Sequence, residues 1–271
     1  MTVLAGAAPG ILPRVDILGV GVAAGTMEAT LSVLDGWIAR REPRYVCVSG
    51  MHGVMECQRD DGLRRIHNSA GLVVPDGMSL VWVCRLKGQR SVERVYGPDL
   101  MLAVCGRSAA KGYRHFLYGS SSEVLATLNA RLCARYPGLT VVGAYAPPFR
   151  PLTAEEDGRI VERIVEARPD IVWVGLSTPK QERWMAEHVD RLGGPVLIGV
   201  GAAFDFHAGA KRQAPRWMQR NGLEWLFRLL SEPRRLYRRY LFNIPLFACY
   251  LGLEALGLRE SGPRSAARGV S

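Results

Sequence analysis

The chain has 271 residues, 22% of them charged and 48% hydrophobic, with a formal net charge of +10. That length suits one large or two small globular domains with ample chain to bury a core, and no part before the last residues reads as disordered. The charge is uneven: Lys211 to Tyr240 carries nine Lys or Arg against two Glu, and a surface of that sign attracts phosphates, anionic lipid or nucleic acid.

Met1 to Leu12 is small and apolar but has no basic stretch ahead of it, so a signal peptide is not expected. Val15 to Val22 reads as one short strand, and Met27, Leu31, Leu34 and Ile38 then recur at helical spacing from about Thr26 to Arg40. Tyr45 to Val48 is a second strand, followed by helices over Gly53 to Gln58 and Gly62 to Asn68. A third strand, Gly71 to Val74, ends in Pro75-Asp76-Gly77, and helices follow over Met78 to Leu86 and Pro98 to Lys111. From His115 the alternation is regular. Strands His115 to Tyr118, Thr140 to Tyr145, Asp170 to Val174 and Val196 to Val200 are separated by helices Ser122 to Tyr136, Ala154 to Arg168 and Pro179 to Leu192. This order predicts an α/β, Rossmann-like fold with a largely parallel sheet flanked by helices. Residues 1–210 form the expected core, 211–258 a basic, amphipathic helical appendage, and 259–271 a disordered tail. Tyr240 to Leu258 is crossed by Asn243, Pro245 and Glu254, which argues against a bilayer-spanning helix. The six cysteines form no C-x-x-C pair and mostly sit in apolar runs, which suggests reduced thiols in a cytosol.

Two strand-to-helix junctions resemble anion sites. At Tyr118-Gly119-Ser120-Ser121-Ser122, backbone and hydroxyl donors converge at a helix start. At Gly175 to Gln181 the same geometry recurs with Lys180 as an added cation, and Pro179 suits the first helical turn. Both are also ordinary helix starts. Asp76 is either a helix N-cap or a general base that takes a proton from an attacking hydroxyl. Ser49-Gly50-Met51-His52-Gly53, at the end of the preceding strand, would face the same crevice or form a plain turn. Gly199 to Phe206 lacks the third Gly and the later acidic partner of a dinucleotide site. Its small residues let backbone approach a ligand, and Asp205 is either a buried cap or a sugar contact. No D-x-D pair and no His/Cys cluster with metal spacing occurs, so no metal is expected.

Leu72 to Trp82, Arg94 to Leu100, Tyr118-Gly119-Ser120, Gly175 to Glu182 and Gly201 to Phe206 resemble, in order, the motifs of the WecG/TagA/CpsF glycosyltransferase family over about Val15 to Tyr240. The resemblance implies an inverting glycosyltransferase without a D-x-D metal site. Such enzymes move a sugar, often N-acetylmannosamine or a derivative, from a UDP-sugar to a polyprenyl-diphosphate-linked saccharide at the inner face of the bacterial membrane. It implies Asp76 as catalytic base, with Ser49 (commonly Thr in the family) and Gln181 as polar catalytic groups. Met51 and His52 stand where the family commonly has Asn, so contacts there differ and the donor sugar is left open between N-acetylmannosamine, a derivative and glucose.

On this reading His52, Gly77, Asp99, Gly119, Ser120, Thr178, Pro179, Lys180, Gly201, Phe204, Asp205, Arg220 and Arg228 bind substrate. Arg220 and Arg228 would offset charge on the departing UDP, and the Arg-rich helices would dock on an anionic inner leaflet. No cofactor is expected, the UDP-sugar being a substrate, and a homo-oligomer is left open. Localisation would be cytoplasmic and peripheral to the membrane, in exopolysaccharide, teichoic acid or capsule synthesis. Two other classes fit the charge: a basic nucleic-acid-binding protein, against which no RNA or DNA motif is evident, and a non-catalytic UDP-sugar sensor.

Overall fold

The computed structural model describes residues 12–259. Residues 1–11 and, from the tail expected to be disordered over 259–271, residues 260–271 lie outside them.

Chain order gives β1 (Arg14–Ile17), β2 (Val20–Ala23), α1 (Met27–Ala39), β3 (Arg44–Ser49), α2 (Met51–Cys57), α3 (Asp61–Ser69), β4 (Leu72–Pro75), α4 (Met78–Leu86) and α5 (Gly97–Lys111). Next come β5 (Arg114–Gly119), α6 (Ser122–Arg135), β6 (Thr140–Tyr145), α7 (Ala154–Ala167), β7 (Ile171–Gly175), α8 (Lys180–His188) and β8 (Val196–Gly199). The carboxyl-terminal part is helical: α9 (Ala203–Ala208), α10 (Arg216–Arg220), α11 (Glu224–Ser231) and α12 (Pro233–Ala255).

Val15 to Val22 is not one strand but an antiparallel hairpin, with Ile17 paired to Val20. Leu18 and Gly19 both take positive φ, 53° and 81°, the twist that a tight two-residue hairpin loop needs. The Asp16 side chain accepts from the Gly19 N–H at 3.0 Å. The run is apolar on both sides of this turn, so its hydrophobicity alone conceals it. The helix expected over Pro179 to Leu192 likewise stops as α-helix at His188 and tightens into a 3-10 turn over Val189–Arg191.

The six remaining strands form one parallel sheet in the order β4-β3-β8-β7-β5-β6. Its central strands are short, nearly continuous apolar runs such as Ile171-Val172-Trp173-Val174, buried throughout, as expected of strands covered on both faces. One face packs Met55, Leu63, Leu80, Ile164 and Met185 from α2, α3, α4, α7 and α8. The other packs Leu34, Leu100, Leu128 and Phe204 from α1, α5, α6 and α9. The connection from β3 runs outward to β4 at one edge, and that from β5 runs outward to β6 at the other. The two diverging excursions open a crevice above the carboxyl ends of β3, β8, β7 and β5, the place where such sheets hold ligands.

The appendage lies against this core. Leu236, Tyr240, Asn243 and Phe247 on α12 are buried, and Phe247 belongs to the core layer with Leu80 and Val83. Arg59 donates to Asn243 Oδ1 at 2.6 Å, and the Asn243 amide meets His52 Nδ1 at 3.3 Å. Pro245 sits inside α12, and no helix among the described residues is long and apolar enough to cross a membrane.

Candidate active site

A cleft of about 1520 Å³ opens at the carboxyl ends of the strands and is closed on its far side by α11 and α12. Strand β4 ends at Pro75, so Asp76 enters the cleft floor. Its backbone N–H is fixed by the Ser49 carbonyl of the neighbouring strand at 2.9 Å. Asp76 does not cap α4, whose N-cap is Gly77 without a side-chain bond. Instead its Oδ1 accepts from the Gly97 N–H at the start of α5, at 2.9 Å. Burial pushes the Asp76 carboxyl above its usual range; Arg94 opposes that shift, Glu224 adds to it, and the Gly97 N–H and Arg228 oppose it. A carboxylate that has lost water and gained a nearby negative charge holds a proton more readily, which suits a general base.

The charges around Asp76 come from both parts of the chain. Arg94, in the loop before α5, donates from Nε to the Asp76 backbone carbonyl and from Nη2 to Glu224 of α11. The two charged side chains are each 14% exposed. Tyr96 completes the clamp: its hydroxyl donates to the other Glu224 oxygen at 3.2 Å, and its ring lies 4.0 Å below the Arg94 guanidinium. Arg228, one helical turn after Glu224, lines the same cleft. Burial works against its charge, but Tyr240, Glu224, Asp76 and Tyr96 outweigh that and hold it firmly protonated. It forms no ion pair among the described residues, so its charge is available to an anion.

Opposite this cluster stand the two junctions. Gly119 sits at φ 127°, and a Cβ there would lie 2.6 Å from the Gly175 carbonyl; only glycine lets β5 and β7 end side by side. Ser120 follows at φ 55° and donates to Asp205 Oδ1 at 3.3 Å, while Ser121, not its neighbours, caps α6. Asp205 is therefore no buried cap: it lines the cleft and pairs with Lys211 at 3.2 Å. The Thr178 hydroxyl and the Gln181 amide both donate to Glu182 Oε1, at 2.9 and 3.0 Å. This braces the loop and leaves Lys180 exposed at the cleft. Gln181 is 2% exposed and its Oε1 has no partner.

The cleft thus gathers Ser49, His52, Asp76, Gly77, Ser120, Thr178, Lys180, Gln181, Gly201, Asp205 and Arg228. Five other expected residues stand elsewhere. Asp99 is exposed on the first turn of α5, and Arg220 is exposed at the end of α10; neither lines the cleft. Gly119 and Phe204 shape it from behind, Phe204 packing so closely under β7 that a Cβ on Gly175 would meet it at 2.4 Å, and Pro179 is the residue just before α8, between Thr178 and Lys180. The sequence reading missed Arg94, Tyr96 and Glu224 as site residues. Arg94 and Tyr96 had a signal, a charged and an aromatic residue just before a Gly-Pro helix start, whereas Glu224 had none.

Residues 15–261 match the Glycosyl transferase WecG/TagA/CpsF family. Among curated proteins, the chain is 31% identical over 181 residues to the N-acetylglucosaminyldiphosphoundecaprenol N-acetyl-beta-D-mannosaminyltransferase of Bacillus subtilis (strain 168), covering 67% of this chain and 68% of that one. It is 28% identical over 236 residues to the protein of the same description in Staphylococcus aureus (strain MW2), covering 86% and 90%.

Proposed function

The chain belongs to the WecG/TagA/CpsF family and is a glycosyltransferase of polysaccharide synthesis, and from that premise we propose that it moves a sugar, N-acetylmannosamine, a derivative or glucose, from a UDP-sugar to a polyprenyl-diphosphate-linked saccharide. The observation that carries this reading is the Asp76 carboxylate. One oxygen is committed to Gly97, and the group sits on the floor of a cleft that Arg228 lines beside it and Lys180 lines at the facing strand–helix junction.

In the proposed reaction the acceptor hydroxyl gives its proton to Asp76 as its oxygen forms a bond to the anomeric carbon. The bond from that carbon to the β-phosphate oxygen breaks on the opposite face, so the configuration inverts and UDP leaves as the anion. Arg228, Lys180 and the positive end of the α8 dipole offset the charge that builds on the diphosphate. With these cations as the electrophilic partners, the reaction needs no divalent metal. Ser49, at the end of β3, and His52, in the first turn of α2, face the acceptor side. The exposed Trp217, Leu230, Tyr237, Leu241 and Phe242 among the arginines of α10 to α12 support peripheral docking on an anionic inner leaflet. Loss of vesicle binding on replacing the exposed Leu241 and Phe242 by Glu is the expected result, and unchanged binding at low salt rejects it.

Thermal denaturation with a series of UDP-sugars tests the donor. A true donor at 100 times its Kd adds about 2.7 kcal/mol. No protection by any UDP-sugar, with protection by oligonucleotides instead, overturns the reading.

A further inference from the structure

The cleft is larger than one substrate requires: about 1520 Å³, against roughly 300–1,000 Å³ for a typical small-molecule site. The surplus is not polar. Beyond Asp76 the cleft continues between α4 and α12. Met78, Trp82 and Leu86, four residues apart, lie on one side of α4, and Ile244, Ala248 and Leu251 lie on one side of α12. Phe247, buried at 6% exposure, forms part of the floor.

Trp82 and Leu86 are 46% and 87% exposed, an unusual state for large apolar groups on the side of α4 that lines the cleft with α12. Trp82 is held in place by the turn before α11, where a Cβ on Gly222 would lie 2.5 Å from the indole. The far end is braced by the Lys87–Glu254 ion pair, and Lys87 also donates to the Asp16 carbonyl at 2.9 Å. From Met78, two residues past Asp76, to Leu86 the α4 wall runs for about 12 Å.

We propose that this groove holds the first isoprene units of the acceptor's polyprenyl tail, so that the tail leaves the catalytic cleft along α4 while the acceptor sugar stays beside Asp76. The proposal rests on the acceptor reading given above. The occupant follows from continuity: an apolar channel that begins at the proposed base and opens to solvent suits a molecule with a polar head and an apolar tail. The donor, polar throughout, gains nothing from it. The appendage is then one wall of an acceptor site as well as a lid.

The test uses the full-length chain and one acceptor head group, N-acetylglucosaminyl diphosphate, carried on a farnesyl or a dimethylallyl tail. Leu86→Glu and Ala248→Glu change exposed positions, so folding is preserved, which circular dichroism checks. In both variants KM for the farnesyl acceptor should rise about tenfold or more, with KM for the dimethylallyl acceptor and for the UDP-sugar unchanged. Equal effects on both tails, or none, overturn the proposal. A shift in vesicle binding with no tail-dependent change in KM also overturns it, marking the groove as a bilayer contact.

Farnesyl diphosphate alone, titrated by tryptophan fluorescence, separates this inference from the reading beneath it. Binding that is weakened by Leu86→Glu, in a protein that transfers no sugar to any acceptor, keeps the groove and removes the reaction. Sugar transfer with a KM independent of tail length keeps the reaction and removes the groove.

Discussion

Replacing Asp76 by Asn removes one proton-accepting group and little else. Asn retains an oxygen to accept the Gly97 N–H, a bond of 2.9 Å in the present structure, and the Arg94 bond goes to the backbone carbonyl, which the substitution does not touch. A positioned general base contributes about 10²–10⁴-fold, or about 3–5 kcal/mol of barrier, so kcat should fall by that factor. KM for the UDP-sugar should change by less than about threefold, since the loss is confined to the transition state. Stability gives a second readout with its own sign. Because burial raises the Asp76 carboxyl above its ordinary range, the ionised form is disfavoured by folding, and at neutral pH that cost is present in the native protein. The Asn variant removes the cost, so its Tm should equal or exceed that of the parent. The assay is release of UDP with a lipid-diphosphate acceptor, paired with calorimetry. Turnover within tenfold of the parent refutes Asp76 as base, and a clear fall in Tm refutes the electrostatic account of its surroundings.

Glu224→Gln should lower kcat and move the acid limb of the kcat/KM profile to lower pH. It removes a negative charge that raises the proton affinity of Asp76 and frees Arg94 to approach the carboxylate, and both effects act in the same direction. An unmoved limb contradicts the role given to the appendage. Gly119→Ala places a Cβ 2.6 Å from the Gly175 backbone at φ 127°. The strain of about 1–3 kcal/mol should lower Tm by several degrees and weaken UDP-sugar binding, whereas a neutral effect would show that the two strand ends can separate. His115 is buried, accepts from the Trp173 indole at 2.8 Å, and is pushed by burial down to about 4 from 6.5. The unfolded chain therefore takes up its proton first as pH falls, and stability should decline between about pH 6.5 and 4, by up to about 3 kcal/mol. NMR titration of His115 above pH 6 contradicts this.

The parallel sheet was legible because its strands are short apolar runs bounded by Gly and Pro, and the helices because Leu and Ile recur at helical spacing. Lys180 and Asp76 were legible for a related reason: a charged residue just past a buried strand enters the crevice that the topology creates. What could not be read is tertiary. Arg94 and Glu224 are 130 positions apart, and nothing local to either announces the pair. The hairpin at Leu18-Gly19 was hidden by apolar residues on both sides. Asp99 and Arg220 show the converse: motif membership pointed Asp99 at the site and tail charge pointed Arg220 there, while helix phase turns the first to solvent and the end of α10 exposes the second. The strand–helix junctions also changed meaning, because Thr178 and Gln181 spend their donors on Glu182 and Lys180 keeps its charge free for the ligand.

The most direct test is a single reaction: purified full-length protein, UDP-N-acetylmannosamine and N-acetylglucosaminyl diphosphate on a farnesyl tail, with EDTA present. The account predicts stoichiometric release of UDP and a disaccharide whose new linkage is inverted relative to the donor by NMR. Absence of transfer from every UDP-sugar offered, a retained configuration, or activity that appears only when a divalent metal is restored contradicts it.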